Sequence, residues 1–434
     1  MEHSHGHHAH AEAPSPTALA TRRRANLLLT AILAPLTLIT IIAMIVLWPS
    51  GDQSGVRIGN AYDTADGVSF ETGTVRDSAI QTCEGYAADP NLPPLKCLVV
   101  QADPDKGGAA ISVEIPPEIS TEVDIGEGDR IRYLDMGNLP SSTGSPYAFI
   151  DFVRTVPMGW LAALYAIVVI AVARWRGFRA LLGLLGAYAV MAYFILPGLV
   201  EGKPPLLLGL VGSSVIMIGV LYFAHGFSAR TSTALLGTMF GLVTTSLLAA
   251  WASSASHLTG LNDDSDYYLY HASESISLSG IILCGLIISG LGVLNDVTIT
   301  QSSAVWEMHE LAPDSSAGRL FAGAMRVGRD HIASTVYTIV FAYAGAALPL
   351  LLLTSLQDRP FVETITSGEL AEEIVRTLVG SVGLVLAIPV TTAIAVLVVK
   401  AVGSKTVSTA ASVVSTPERR GRRLSRMPFS GDDW

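Results

Sequence analysis

The sequence predicts an α-helical polytopic membrane protein with about eight transmembrane helices and a small all-β domain inserted after the first helix. Half of its residues are apolar and only 15% are charged, so the net charge of −10 belongs to the loops. Several apolar runs reach the ~20 residues that a helix needs to cross a bilayer. Residues 51–150 differ, because short β-branched stretches alternate there with turns rich in Gly, Pro, Asp and Asn.

The chain begins with a histidine-rich leader, residues 1–25, which we expect to be disordered and cytoplasmic. The apolar run at 26–48 follows three arginines, is too long for a signal peptide and lacks a small-residue cleavage site, so it should remain as an anchor. Neutral imidazoles bind Zn²⁺, Ni²⁺, Cu²⁺ or Co²⁺, which makes divalent metal export a lesser hypothesis; flexible histidine tracts also bind metals adventitiously. The leader histidines are His3, His5, His7, His8 and His10.

Residues 51–150 predict five or six short strands, arranged as a small OB-like barrel or a sandwich. Cys83 and Cys97 both lie in this segment. If the segment is extracytoplasmic, as the charge distribution below indicates, a disulfide between these two cysteines can form and persist. The domain carries no catalytic constellation, which leaves two interpretations: a structural cap, or a module that recruits an envelope partner.

Seven more apolar segments make up a membrane domain at residues 156–402. The connection at 301–329 is longer than the others, and we expect two short helices there at the cytoplasmic membrane surface. A disordered basic tail, residues 403–434, follows the last span, and its arginines can contact anionic lipids. The eight predicted spans are 26–48, 156–175, 180–199, 205–224, 231–255, 276–294, 332–353 and 374–402.

The distribution of arginine and lysine orients these spans. Basic residues cluster before the first span, in alternate loops and after the last span, whereas the opposite short loops hold only Lys203 and Arg359. Because short cytoplasmic loops are enriched in Lys and Arg, we expect both termini in the cytoplasm and residues 51–150 outside it. Arginine far outnumbers lysine, as in GC-rich bacterial genomes, so the predicted location is the bacterial plasma membrane.

The sixth and seventh spans carry the candidate functional residues. Asp296 lies at the same predicted membrane face as Asp330 and His331, and small or hydroxyl residues precede Asp296 and follow His331 at helical spacing. Carboxylates and imidazoles relay protons or bind cations inside membranes, so this pattern predicts an ion- or proton-coupled polar site. The alternative is an interhelical clamp, with Arg329 anchored among the headgroups. The candidate site comprises Asp296, Asp330, His331, Ser289, Ser334, Thr335 and Thr338.

The fifth and seventh spans carry two further structural patterns. Hydroxyl residues are frequent in the fifth span, where Gly237 and Gly241 have the spacing that lets helices approach closely. We interpret this span as a closely packed interior helix, and a hydroxyl-lined path is the alternative. Pro349 predicts a kink or break in the seventh span.

A set of short motifs lies between residues 145 and 400: Tyr147-Ala148-Phe149-Ile150-Asp151-Phe152-Val153-Arg154, Leu196-Pro197-Gly198 with Gly202, Gly292-Val293-Leu294-Asn295-Asp296-Val297, Gly328-Arg329-Asp330-His331, Ala342-Tyr343-Ala344-Gly345 and Leu348-Pro349-Leu350. By these motifs the chain resembles the YibE/F-like family of bacterial multispanning membrane proteins. The resemblance implies a permease-like integral membrane protein with an extracytoplasmic domain after the first span. It supplies neither a substrate nor catalytic residues.

The enzyme signatures we considered are absent: the sequence has no P-loop, no Gly-x-Ser-x-Gly motif and no His-Glu-x-x-His motif. We therefore expect a permease, not an enzyme, that moves a small solute or ion without hydrolysing ATP. The alternative is a non-transporting scaffold for cell-envelope assembly that acts through residues 51–150. Membrane lipids are expected partners, a homo-oligomer is left open, and no cofactor or nucleic acid is expected.

Overall fold

The computed structural model describes residues 16–51, 68–82, 96–137, 145–261, 264–272, 275–356 and 360–403, which are mainly helical. The leader histidines, Cys83 and the basic tail lie outside these residues. In chain order the elements are α1 (Pro16–Val46), β1 (Ser69–Thr82), β2 (Lys96–Pro104), β3 (Ile111–Ile115), α2 (Pro117–Ser120), β4 (Arg130–Asp135), β5 (Tyr147–Phe152), α3 (Thr155–Val190), a π-helical segment (Met191–Ile195), α4 (Leu196–Val200), α5 (Pro205–His225), α6 (Ala229–Ala255), α7 (Asp264–Ala272), α8 (Leu278–Ser289), α9 (Leu291–Leu311), α10 (Ala317–Ala346), α11 (Leu348–Ser355), α12 (Phe361–Ile365) and α13 (Gly368–Gly403).

Helix α1 begins earlier than the predicted first span. Because it starts at Pro16, residues 16–25 are helical and do not belong to a disordered leader, which corrects the expectation for that part of the chain. Proline suits the first turn of a helix, where its missing N–H has no partner to lose. The Ala, Leu and Arg residues that follow it favour the helical conformation.

Among the described residues, six helical segments are long and apolar enough to cross a membrane. A seventh is obtained if α10 and α11 cross as one unit; they are bent by 67° where the sequence predicts a break near Pro349. The predicted number of eight would further require the 46-residue segment Thr155–Val200 to cross twice. That number stays a prediction.

The segment Thr155–Val200 is not one straight helix. Its backbone leaves the helical conformation at Arg174, where φ is 53° and ψ is −133°. Beyond this break, Gly177 lies so close to Val169 that a Cβ atom on Gly177 would overlap the Val169 carbonyl oxygen. A straight helix would separate these two residues by about 12 Å along its axis. The chain therefore folds back at Arg174, at the end of the predicted span 156–175 and before the predicted span 180–199.

The connection between the sixth and seventh predicted spans is shorter than the expected 301–329. Helix α9 continues to Leu311 and α10 begins at Ala317, so only residues 312–316 are outside helices. Neither Gly nor Pro interrupts α9 after Gly292, which explains why this helix continues. The side chain of Ser316 caps α10 by accepting a hydrogen bond from the Arg319 N–H at 3.3 Å.

The five strands form a closed barrel, which confirms the predicted barrel over the sandwich. Their order is β1-β2-β3-β5-β4, and the parallel pairing of β3 with β5 distinguishes this OB-like topology from a simple meander. A bulge between Val75 and Asp77 bends β1, which pairs with both β2 and β4. Cys97 is buried in β2. Its predicted disulfide involves Cys83, outside the described residues, and stays a prediction.

Helices α6, α9 and α13 form the centre of the helical domain. Gly237 of α6 lies against the side chain of Thr391, and a Cβ atom at this position would overlap the Thr391 hydroxyl. Gly383 of α13 approaches Thr245 of α6 equally closely. These contacts confirm the closely packed interior helix that the glycine spacing predicts.

The C-terminal end of α1 is tied to the turn between α4 and α5. The Glu201 carboxylate accepts hydrogen bonds from the Ser50 hydroxyl at 3.1 Å and from the Gly51 N–H at 2.8 Å. Lys203 lies 3.3 Å from the same carboxylate and donates to the Leu47 carbonyl at 3.2 Å. Together these bonds hold the chain where it leaves α1 toward the barrel.

Replacing Gly237 with alanine is expected to destabilise the protein by about 1–3 kcal/mol, because the added methyl group must displace Thr391. The matched control is Gly285→Ala in α8, where a Cβ atom would have no neighbour within 4 Å. Alanine should be neutral there or stabilise by up to about 1 kcal/mol through helix propensity. Unfolding of both variants in detergent measures the difference. Equal stability of the two variants would contradict the close α6–α13 contact.

Removing the charge of Glu201 is expected to lower the melting temperature in a pH-dependent way. Hydrogen bonds from the Ser50 and Gly51 backbone N–H groups and from Lys203 hold the Glu201 pKa below its ordinary 4.5. A depressed carboxyl pKa stabilises the fold above the unfolded-state pKa, and this contribution is lost as the pH falls through the folded-state pKa. The melting temperatures of Glu201→Gln and wild type should therefore differ at pH 7 and converge in acid. The exposed Glu363 provides the control, Glu363→Gln, for which no such convergence is expected.

Candidate functional site

The structure brings together two of the predicted site residues, Asp296 and His331. The Asp296 carboxylate Oδ2 lies 3.4 Å from His331 Nε2, with 63% of the Asp296 side chain and 26% of the His331 side chain exposed. The pair therefore joins α9 to α10 at the outer surface of the helical domain. This position is compatible with either the polar site or the interhelical clamp.

The other predicted site residues are less enclosed. Asp330 and Arg329 are exposed, as are Ser334 and Thr338, while Thr335 is half-buried. The hydroxyl groups of Thr338 and Ser289 each donate to a carbonyl oxygen of their own helix, at 3.1 Å and 2.9 Å. They form no path between helices in this arrangement.

The packing of α10 against its neighbours accounts for this exposure. Leu320, Ala324 and Gly328 are its buried residues near the cytoplasmic end predicted for this helix. The stripe of small and hydroxyl residues follows the same face, since His331 and Thr335 lie three and seven positions after Gly328. Its later residues are exposed, however, and nothing approaches within 4 Å of a Cβ position at Gly345. In the Gly328–His331 motif, Gly328 is buried in the protein interior, whereas Arg329 and Asp330 are exposed.

A metal site does not emerge from the described residues. Among them, no group of three or more His, Cys, Asp or Glu side chains is placed to hold a metal ion. The five leader histidines lie outside this part of the chain, so the metal hypothesis stays untested.

The most enclosed polar residues form a stripe of hydroxyl groups along α6. Thr231, Thr238 and Thr245 recur every seven residues, which places them on one helix face, and their side chains are 1%, 0% and 0% exposed. At the middle of this stripe, the Thr238 hydroxyl lies 2.7 Å from the hydroxyl of Thr298 in α9. The sequence pattern of the fifth span indicated these residues, but not their partner.

The Thr238–Thr298 contact is a hydrogen bond with two alternative arrangements. Each hydroxyl also lies within 2.9 Å of a backbone carbonyl of its own helix, at Ala234 and Leu294 respectively. A hydroxyl group has one hydrogen to donate. One threonine therefore bonds the other while the second bonds its own carbonyl, and the two can exchange these roles.

A buried amide, that of Gln301 in α9, continues the polar core. With the amide oriented to satisfy its hydrogen bonds, Nε2 donates to the Thr392 hydroxyl at 3.0 Å and to the Ala324 carbonyl at 3.3 Å, and Oε1 accepts from the Gly328 N–H at 3.2 Å. Gln301 thus links α9 to α10 and α13. A Cβ atom on Gly328 would lie 2.8 Å from the Gln301 amide atom that faces it, which is Oε1 in this orientation, so glycine is what permits this approach.

Several buried hydroxyls have no hydrogen bond to any described residue. They include Thr245 on the α6 stripe, Thr233 near the start of α6 and Ser381 of α13. Buried polar groups are costly when left without partners, and such positions are where a solute or water can bind.

A basic cavity of about 940 Å³ opens at the N-terminal end of α6, where Thr231 begins the hydroxyl stripe. Helices α3, α5, α6 and α9 contribute its main walls. The charged residues that line it are Arg176, Arg179, Arg230 and Glu310. Sequence reasoning used these arginines only as markers of membrane orientation, because no local motif reveals that they meet.

A second cavity, of about 1110 Å³, lies between α1, α5 and the start of α6. Its walls are mainly apolar and include Leu33, Phe223 and Phe227. Such walls are typical of a surface that faces lipid.

Thr238→Val and Thr298→Val are each expected to cost about 1 kcal/mol of stability, because each removes one partner of a buried hydrogen bond. The double variant should cost less than the two single variants combined, since the two hydroxyls act as a pair. Unfolding in detergent measures all three free energies. Thr244→Val serves as the control, because its hydroxyl bonds only the Phe240 carbonyl among the described residues. Additive single effects for Thr238 and Thr298 would show that the pair is not coupled.

The comparisons with known proteins agree with the architecture. No curated protein and no solved structure matches the chain. The family described as YibE/F-like protein matches residues 161–401, which include the hydroxyl stripe of α6 and every residue that lines the basic cavity. Long apolar helices and this match together make the protein an integral membrane protein. The chain belongs to the YibE/F-like family.

Proposed function

We propose that this protein is a permease of the bacterial plasma membrane that moves a small solute or ion by ATP-independent secondary transport. The observation that carries the proposal is the α6 hydroxyl stripe, which begins in the basic cavity at Thr231 and continues through Thr238 to Thr245. In this proposal eight helices cross the membrane, both termini are cytoplasmic and the barrel is extracytoplasmic.

The chemistry of the stripe favours a path over a purely structural role. Apolar residues would pack α6 without leaving hydroxyls such as Thr245 buried and without a hydrogen bond among the described residues. Polar groups inside a membrane are expensive and commonly mark the route of a solute or ion. The Thr238–Thr298 hydrogen bond can break without leaving the two hydroxyls unbonded, so α6 and α9 can separate at this point.

The present arrangement corresponds to a closed path. Thr238 and Thr298 are in contact at 2.7 Å, and Gly237 lies directly against Thr391. Transport would require α6 to separate from α9 and α13, which is a gating movement of one helix group against another. The Asp296–His331 pair, which joins α9 to α10, is our candidate for coupling this movement to an ion.

Cysteine accessibility tests the path without knowledge of the solute. Thr238→Cys and Thr245→Cys, in a Cys284→Ser background, should react in proteoliposomes with a membrane-impermeant methanethiosulfonate reagent, because a transport path admits water at some stage. Met239→Cys is the matched control: Met239 is also buried on α6, but it lies about 100° around the helix from Thr238 and belongs to the apolar core. If the threonine positions are as unreactive as Met239→Cys, the hydroxyl stripe is packing only and the proposal fails.

The same preparation tests the coupling residues and the alternative function. Once a transported solute is found, unchanged flux and pH dependence in Asp296→Asn and His331→Gln would remove Asp296 and His331 from the mechanism. A scaffold for envelope assembly is favoured by one observation, the closed barrel tethered next to the membrane. Unreactive threonine positions together with a stable envelope partner that binds residues 51–150 would establish that alternative.

A further inference from the structure

The basic cavity has an excess of positive charge. Three guanidinium groups, those of Arg176, Arg179 and Arg230, share it with one carboxylate, that of Glu310. Arg230 lies 3.4 Å from a second carboxylate, Glu307. Within the described part of the chain, no carboxylate lies at ion-pair distance from Arg176 or Arg179. Two arginine side chains from α3 are therefore available to an anion.

Two buried nitrogen atoms at this cavity lack hydrogen bonds. Nε of Arg179 and Nδ1 of His309 are both buried, and neither bonds any described residue. A buried donor without an acceptor is costly, and the great majority of such atoms in folded proteins are satisfied. An oxygen atom of a bound anion would satisfy the Arg179 donor. Snorkelling to the membrane surface does not explain this nitrogen, because snorkelling side chains place their polar atoms in water.

The other features of the basic cavity indicate the size and polarity of the ligand as well as its charge. The cavity lies at the N-terminus of the 27-residue helix α6, where the helix dipole favours anions. Val169, Ile299 and Trp306 add apolar surface to the same cavity. Its volume of about 940 Å³ far exceeds that of an inorganic ion and matches the sites of small organic ligands.

We propose that this cavity binds a small organic oxyanion, a molecule with a carboxylate or phosphate group held by Arg176 and Arg179 and an apolar body against Trp306. Planar guanidinium groups bind both kinds of oxyanion in bidentate fashion. This inference depends on the proposed function in one respect: it takes the bound anion to be the transported solute. A phospholipid headgroup shares this chemistry, so the experiment separates it from a soluble ligand.

Binding of phenyl phosphate to the full-length protein in nanodiscs of neutral lipid tests the site by ligand-observed NMR titration, with benzylamine as the cationic counterpart. Phenyl phosphate should bind and benzylamine should not. The double variant Arg176→Gln/Arg179→Gln should lower the affinity for phenyl phosphate by about tenfold or more, which is the loss expected for one charge-assisted hydrogen bond. Arg176 is exposed at the cavity wall, so the single variant Arg176→Gln tests the same effect without endangering the fold.

The matched control is Arg326→Gln, which removes the same charge from an exposed position on α10, outside the cavity. Its affinity should remain within about twofold of wild type, a change of under 0.5 kcal/mol. Equal effects of Arg326→Gln and Arg176→Gln, binding of benzylamine, or no binding of phenyl phosphate would each overturn the proposal.

A second set of nanodiscs containing phosphatidylglycerol identifies the source of the oxyanion. Displacement of phenyl phosphate by the anionic lipid assigns the site to headgroups, whereas unchanged affinity assigns it to a soluble solute. The outcome is also separable from that of the transport test. If the anion binds but Thr238→Cys is unreactive, the oxyanion site stands and the transport proposal fails. If Thr238→Cys reacts but no anion binds, the transport proposal stands and the oxyanion site fails.

Discussion

The close approach of α6, α9 and α13 is the constraint on which the rest of the helical domain depends. Inside a membrane no water satisfies a polar group, so each threonine, serine and glutamine placed there must find a partner on another helix or on its own backbone. Glycine makes this possible, because Gly237, Gly383 and Gly328 let Thr391, Thr245 and Gln301 occupy space that any side chain would take. At Gln301 close packing and hydrogen bonding of the polar group therefore coincide, whereas Thr245 is packed closely without a hydrogen bond to any described residue.

This arrangement also connects the core to the surface. The α6 stripe starts at Thr231 in the basic cavity and ends at Thr245, whose hydroxyl makes no hydrogen bond within the described structure. The cavity exists because the chain folds back at Arg174, which brings Arg176 and Arg179 of α3 beside the start of α6. We infer oxyanion binding and transport from these two features, the basic cavity and the hydroxyl stripe of α6.

The barrel is held to the membrane helices in a different way. Its last strand leads directly into α3, and the end of α1 is bound by Glu201 and Lys203 in the turn before α5. Since chain segments at both ends of the barrel are anchored, its distance from the membrane domain is restricted. Its own core of buried side chains, among them Val113 and Ile131, makes it a compact unit on this base.

Composition and periodicity were sufficient for the long apolar helices and the β-rich insertion, because burial in lipid and pleated strands each impose a local pattern on the chain. The family followed from the resemblance of short motifs between residues 145 and 400. Local patterns also identified the hydroxyl residues of α6 and the break near Pro349. They did not show that Asp330 points away from the packed face of α10, so it was expected in a polar site although it is exposed. The meeting of Arg176, Arg179 and Arg230, and the pairing of Thr238 with Thr298, depend on helices far apart in sequence. Such contacts follow from how the helices pack against one another, which no single segment specifies.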